Sequence, residues 1–160
     1  MGSKVRMIGV AGAGSALGVM ALLIAFTGPW EGLKLRAYQD VVGVWTICRG
    51  ETLNVAPGDV ATEAECDEMF ARRLAEFRDG VDACLVPSVP AEVEVAFVDL
   101  AYNVGVGPVC RSTLMRKANA GDLRGACLEL SNWVRAGGRV IKGLVNRRAA
   151  AQRLCLAGLR

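Results

Sequence analysis

Between Met7 and Phe26 lie twenty consecutive residues without a charge, and the surroundings of every later residue depend on where that run resides. A helix of twenty residues rises about 30 Å, the thickness of a bilayer's hydrocarbon core. Lys4 and Arg6 precede the run, so the positive-inside rule keeps the amino terminus cytoplasmic and sends residue 30 onward to the far side. The run is only weakly hydrophobic, since Gly9, Gly12, Gly14 and Gly18, five alanines and Ser15 make up half of it. A permanent anchor holds more large residues, which here are concentrated from Val19 to Phe26. A cleavable signal peptide needs a small-x-small site, and Ala25-Phe26-Thr27 followed by Gly28-Pro29 is a poor one. Both readings stay open on the residues alone.

Cys48, Cys66, Cys84, Cys110, Cys127 and Cys155 all follow the run, so all reach an oxidising compartment. An even number there favours three disulfides, although six cysteines leave fifteen pairings open. No Cys-x-x-Cys occurs, which argues against zinc and against a redox motif. Histidine is absent, excluding Ser-His-Asp and Cys-His mechanisms and any histidine-ligated metal. Chemistry must then come from carboxylates, hydroxyls, cysteines or cations. With 160 residues, 52% of them hydrophobic and 22% charged, the chain is long and apolar enough for one folded domain with a real core.

The formal charge of +3 hides an asymmetry. Residues 31–99 hold 14 acids against 6 bases, and residues 100–160 hold 2 acids against 11 bases. The last third is a basic surface suited to an anionic polymer, or the two halves attract each other. No nucleic-acid motif accompanies the basic residues.

Local patterns set out the elements. Val41 to Thr52 reads as a small hairpin of short strands around Gly43, and Leu53 to Val60 as a loop. Thr62-Glu63-Ala64-Glu65 has the capping-box pattern and opens a helix running towards Gly80 or a little beyond. Residues 91–105 carry a broad helical apolar stripe, Val93, Ala96, Phe97, Leu100, Ala101 and Val104, that should form the centre of the helical part. Asn119-Ala120-Gly121-Asp122 ends one helix and begins another that reaches Trp133. Gly137-Gly138 forms a flexible turn, and a last helix opens at Gly143 and ends near Gly158.

The stretch richest in chemistry is Trp30 to Thr52. Glu31 stands at the edge of an apolar region, Asp40 follows nine residues later, and Thr46 lies beyond a Gly43 turn. Two acids in different environments with a hydroxyl nearby suit acid-catalysed glycosidic cleavage. In a chain with 16 acidic residues, two solvated surface carboxylates would account for the pair equally. The whole string is more informative. Glu31-Gly32, Tyr38-Gln39-Asp40, Gly43, Thr46-Ile47 and Gly50 resemble, in order and spacing, the motif of the Glu-Asp-Thr phage lysozymes, also called endolysins or muramidases. Tyr102-Asn103-Val104-Gly105 followed by Ser112-Thr113-Leu114 is similar to that family's second block, and Gly143-Leu144-Val145-Asn146-Arg147-Arg148 to its third. The resemblance covers about residues 29–158.

The resemblance implies an α+β, two-lobed phage-type lysozyme fold, a small β-hairpin lobe and a larger helical lobe joined by a long helix, with an N-terminal membrane-inserting helix. It implies hydrolysis of the β-1,4 bond between N-acetylmuramic acid and N-acetylglucosamine in peptidoglycan, with inversion at the anomeric carbon. Glu31 would be the acid, and Asp40 with Thr46 would position and activate water. Arg147 would orient Glu31, Arg148 would be solvated, and Asn103 would contact substrate or tie the lobes together. The implied disulfides are Cys48–Cys66, Cys84–Cys110 and Cys127–Cys155. No metal or organic cofactor is needed. Two departures stand out: Glu51 replaces a histidine found in some relatives, and Ala149 to Ala151 lack a glutamate common in the last helix.

The resemblance also supplies a third reading of the uncharged run, the signal-anchor-release segment of one endolysin subclass. Residues 1–28 would then be the inserted segment and 29–160 the muramidase domain. The chain would sit in the host inner membrane with its amino terminus cytoplasmic, then escape uncleaved to the periplasm of a Gram-negative host. Its partners would be peptidoglycan glycan strands and, before release, that membrane, with no nucleic acid, and it would act as a monomer. Glu31 lies five residues beyond Phe26, within roughly 18 Å of the membrane surface at most ~3.5 Å per residue. A cleft around Glu31 could not assemble there, so tethering would hold the enzyme inactive. Two other classes remain: a membrane-tethered peptidoglycan-binding or structural protein with an inactive lysozyme fold, and a small membrane-permeabilising protein.

Overall fold

The computed structural model describes residues 16–160. Helix α1 (Ala16–Thr27) runs into a single 3-10 turn at Gly28–Trp30, and strands β1 (Lys34–Gln39) and β2 (Trp45–Cys48) form an antiparallel hairpin. Helix α2 (Glu63–Asp82) leads to α3 (Ala91–Val104), α4 (Val106–Cys110), α5 (Thr113–Asn119) and α6 (Leu123–Glu129). A 3-10 turn at Leu130–Asn132, a second small hairpin of β3 (Arg135–Ala136) and β4 (Arg139–Val140), and α7 (Lys142–Ala157) complete the chain.

Two apolar clusters define the lobes, and α2 belongs to both. Ile47, Cys48, Ala61 and Cys66 form the small cluster beneath the first hairpin, whereas Phe70, Leu74 and Val81 of the same helix enter the large helical core. The start of α2 is fixed by a capping box: Thr62 Oγ1 accepts from the Glu65 amide, and Glu65 Oε2 accepts from the Thr62 amide at 2.7 Å. At the centre, α3 buries Val93 and every residue from Val95 to Ala101. A helix buried on all sides needs covering elements on all sides, and α1, α2 and α7 supply them.

The uncharged run is therefore split by the structure. Residues 7–15 lie outside the described residues, while α1 packs onto α3 and α2 with Val19 and Leu23, one helical turn apart, wholly inside the core. Among the described residues no helix is long and apolar enough to cross a membrane. Leu23→Ala is expected to lower the unfolding free energy of the full chain by ~2–5 kcal/mol, from lost transfer energy plus a cavity. Urea titration checks this, and a loss well under ~1 kcal/mol would mean that α1 is only loosely docked.

The structure joins Cys48 to Cys66, Cys84 to Cys110 and Cys127 to Cys155, the pairs implied by the resemblance. The first ties hairpin to α2, the second ties the turn after α2 to α4, and the third ties α6 to α7.

Two local expectations are corrected. The hairpin begins upstream of Val41, whose side chain is fully exposed in the turn. The cause is Asp40: its Oδ1 accepts from the amides of both Val42 and Val44 at 2.9 Å, and Gly43 adopts φ +83°, so the β-branched residues are drawn into a loop. Helix α6 stops at Glu129 and tightens to a 3-10 turn before Trp133. Gly137 and Gly138, both at positive φ, form the expected turn, as the two-residue loop of the β3–β4 hairpin.

Candidate active site

Glu31 is the first residue beyond the 3-10 turn that ends α1; its amide donates to Gly28 O at 3.0 Å and its backbone is extended. This sharp exit turns the chain from the helical lobe into the hairpin and leaves the Glu31 side chain half-buried between them, 21% exposed. Oε1 accepts from an Arg147 terminal nitrogen at 2.7 Å. Among the described residues Oε2 accepts no hydrogen bond, so one carboxyl oxygen is held and the other is available.

Arg147 is itself fixed from behind. Its Nε and second terminal nitrogen donate to both oxygens of Asp99 at 2.8–3.2 Å, and Asp99, in the middle of α3, has no exposed surface. Arg148 also donates to Asp99 at 3.3 Å, to Trp133 O at 3.2 Å and to Asn103 Oδ1. The expectation that Arg148 is solvated is thus corrected: it is completely buried. On α7 it lies in line with buried Ala151 and Cys155, three and seven residues on, which is the stripe facing α3. Asn103 is exposed at its own position, and this chain of charges connects it to Glu31.

Burial works against the Arg147 cation, but Asp99 and then Glu31 outweigh it and hold its pKa above the ordinary value. For Arg148 burial dominates, opposed by Asp99 and reinforced by the neighbouring Arg147, and pushes the pKa down to about 10. Both guanidiniums are cations at neutral pH, and one buried carboxylate serves both.

Glu31 opens onto two adjoining hollows that share it and Arg49. The more polar one is lined by Gly50, Arg73, Phe77, Tyr102 and Asn103 as well; the more apolar one by Ile24, Leu33 and Phe70 among others. Tyr102 donates its hydroxyl to Arg49 O at 3.0 Å, tying α3 to the hairpin lobe. Burial, with the charge of Glu31, pushes that hydroxyl's pKa up to about 12, so it stays a donor.

Asp40 and Thr46 are brought together at the other end of the hairpin. Val44 lies between them: its amide donates to Asp40 Oδ1, and its carbonyl accepts from the buried Thr46 hydroxyl at 3.1 Å. Asp40 Oδ2 takes no protein hydrogen bond among the described residues. Neither residue lines the two hollows at Glu31, and no hydrogen bond links either one to it.

Sequence reading missed Asp99 and the Glu51–Arg73 pair. Asp99 could have been found as the one charge inside the apolar run Val95–Ala101. Glu51, where some relatives were expected to carry histidine, is buried; its Oε1 accepts from the Thr52 and Leu53 amides at 2.8 Å, and Oε2 lies 4.0 Å from Arg73 Nε. A carboxylate there ties the hairpin lobe to α2. Of the basic residues beyond position 100, Arg147 and Arg148 make ion pairs with the acidic half, whereas Arg111, Arg116, Arg124, Arg135, Arg139, Lys142, Arg153 and Arg160 are exposed.

The family model described as phage lysozyme matches residues 28–151. The SAR-endolysin of Enterobacteria phage P21 is 37% identical over 159 residues, covering 96% of this chain and 95% of its own length. The SAR-endolysin of Bacteriophage PS119 is 38% identical over 151 residues, covering 91% and 89%. Among solved structures, P22 lysozyme superposes with a TM-score of 0.77 at 26% identity, over 85% of this chain and 96% of that one. With the match running through every block that builds the cleft, from the Glu31 turn to the arginines of α7, the chain belongs to the phage lysozyme family and is a glycoside hydrolase of the lysozyme, or muramidase, type.

Proposed function

We propose that this lysozyme cleaves the β-1,4 bond between N-acetylmuramic acid and N-acetylglucosamine in peptidoglycan with Glu31 as the general acid. The observation that carries the reading is the Glu31 carboxyl itself: half-buried, open to the cleft, gripped through one oxygen and uncommitted through the other. Glu31 protonates the glycosidic oxygen as the bond to the anomeric carbon breaks. Asp40, its Oδ1 fixed by two amides, takes a proton through Oδ2 from a water that attacks the opposite face, and Thr46 helps hold that water. Attack from the opposite face gives inversion. Arg147 holds the Glu31 carboxyl in place through Oε1, and Asp99 fixes that guanidinium from behind.

The relatives from phages P21 and PS119 are SAR-endolysins, and the uncharged run behind Lys4 and Arg6 supports the same history here. Residues 1–28 enter the inner membrane of a Gram-negative host with the amino terminus cytoplasmic, and the enzyme stays inactive until it leaves, uncleaved, for the periplasm and acts there as a monomer. Supporting this is the burial of Val19 and Leu23, because side chains held in lipid cannot fill the core against α3.

Both parts can be tested. Membrane-free protein should release muropeptides with reducing muramic ends from purified peptidoglycan; binding without release would favour a peptidoglycan-binding protein of the same fold. Gly12→Leu with Gly14→Leu, which makes the run more hydrophobic, should hold the chain in the membrane fraction and abolish lysis. Full lysis by the retained form would end the tethering idea.

A further inference from the structure

We infer that Arg49 and Arg73 form a carboxylate-binding subsite beside Glu31 that recognises the anionic stem peptide on the muramic acid ring. The inference deepens the muramidase reading and rests on it.

The two arginines come from different elements, Arg49 from the residue after β2 and Arg73 from the middle of α2, yet both line the same hollow as Glu31. Each is half-buried, with 20% and 28% of its side chain exposed. Each also lies over an aromatic ring, Arg49 at 5.6 Å from the Phe70 centroid and Arg73 at 5.5 Å from that of Phe77. Ring contact covers one face of a guanidinium and limits its rotation, while its N–H groups point outward in the plane, where a carboxylate is bound.

Most of their protein contacts are long, and they leave much of both guanidiniums unengaged. Arg49 reaches Asp67 at only 3.6 Å and Gly28 O at 3.5 Å, and Arg73 reaches Glu51 at 4.0 Å. The one short contact is from Arg73 to Glu76 at 2.5 Å. Asp67 and Glu76 are 60% and 51% exposed, so both pairs are screened by water and of little strength. Between them the two forks offer ten N–H groups, of which only a few are engaged. No carboxylate other than Glu31 lines that hollow.

The ligand's chemistry follows from what separates peptidoglycan from other β-1,4 aminosugar polymers. The sugar rings are uncharged, and the peptides carried on the muramic lactyl group bring carboxylates within a few bonds of the ring. Two cations beside the acid therefore favour a strand that carries these peptides over a neutral one. They also add to the positive potential at the acid, and a bound carboxylate would offset part of it.

The competing role is structural, since Arg49 and Arg73 also connect the hairpin lobe to α2. Kinetics on two substrates separates the two. Soluble uncross-linked glycan strands bearing stem peptides are compared with the same strands after carbodiimide coupling to methylamine has turned the peptide carboxylates into neutral amides. The full chain, membrane-free, is tested as native protein, Arg49→Gln, Arg73→Gln and the double variant. For the native protein, amidation should raise KM about tenfold, the scale of losing one or two charge-assisted hydrogen bonds in a partly wet site. Each variant should raise KM several-fold on the charged strands and by much less on the amidated ones, because its partner is already gone. KM does not depend on the fraction of enzyme folded, so partial unfolding cannot imitate this pattern. Equal losses on both substrates, or a native KM indifferent to amidation, would overturn the subsite. A native protein that cleaves neither substrate would instead remove the muramidase reading, and this inference with it.

Discussion

Glu31→Gln is expected to reduce glycan cleavage by about 10²–10⁴-fold, the usual contribution of a positioned general acid. Glutamine is almost isosteric and its carbonyl oxygen still accepts from Arg147, so the cleft keeps its shape while losing the proton it delivers. Release of reducing ends from purified peptidoglycan measures the rate, and thermal unfolding shows that both proteins are equally folded. Removing a carboxylate from beside a buried cation costs some stability, so rates are compared well below both unfolding transitions. A variant with more than about a tenth of the native rate would mean that another group supplies the proton. Such a result would send the search to Asp40, at the turn of the hairpin, and to Tyr102, which lines the same hollow as Glu31.

Asp99→Asn should produce the largest loss of stability of any single polar substitution in the chain, ~3–5 kcal/mol by urea unfolding. Asp99 accepts from two arginines and has no solvent exposure, and asparagine offers them one acceptor oxygen and an NH₂ that faces guanidinium donors. Two buried cations would then have Glu31 as their nearest carboxylate, and Arg147 would be freed to swing with it. Activity at equal folded concentration should fall as well. A loss under ~1 kcal/mol would imply that water enters between α3 and α7 and solvates the pair. Replacing Asp99, Arg147 and Arg148 together by apolar residues should cost less than Asp99→Asn alone, because no unpaired charge is left behind.

The residues that sequence reading located best are those whose role is local. The capping box at Thr62, the end of α2 and the buried stripe of α3 each depend on neighbours within a few positions, and each stands where periodicity and capping put it. The disulfide pairs came from likeness to a family, since spacing alone could not choose among fifteen. What escaped was non-local. Val41, Val42 and Val44 have strand-forming side chains, but Asp40 captures the amides of Val42 and Val44 and the ladder forms upstream instead. Arg148 was assigned to solvent because arginines usually reach it, and only the partner on α3, some fifty residues away in the chain, overrides that preference. Glu31, Asp40 and Thr46 were singled out by likeness to a family motif, whereas their separation between a cleft wall and a hairpin turn is a property of the folded lobes.

Every cystine lies at or beyond Cys48, so α1 is held to the rest of the molecule by packing and by a single backbone connection. In thermodynamic terms α1 is a ligand attached to its own receptor. The cross-linked remainder, from hairpin to α7, can close its three covalent loops whether or not residues 16–27 are docked. The packing of α1 is then an intramolecular association, favoured by a high effective concentration through the short Gly28–Trp30 turn and by the apolar area of Val19 and Leu23. Substitutions on that face should change the fraction docked by mass action while leaving the covalent frame as it was.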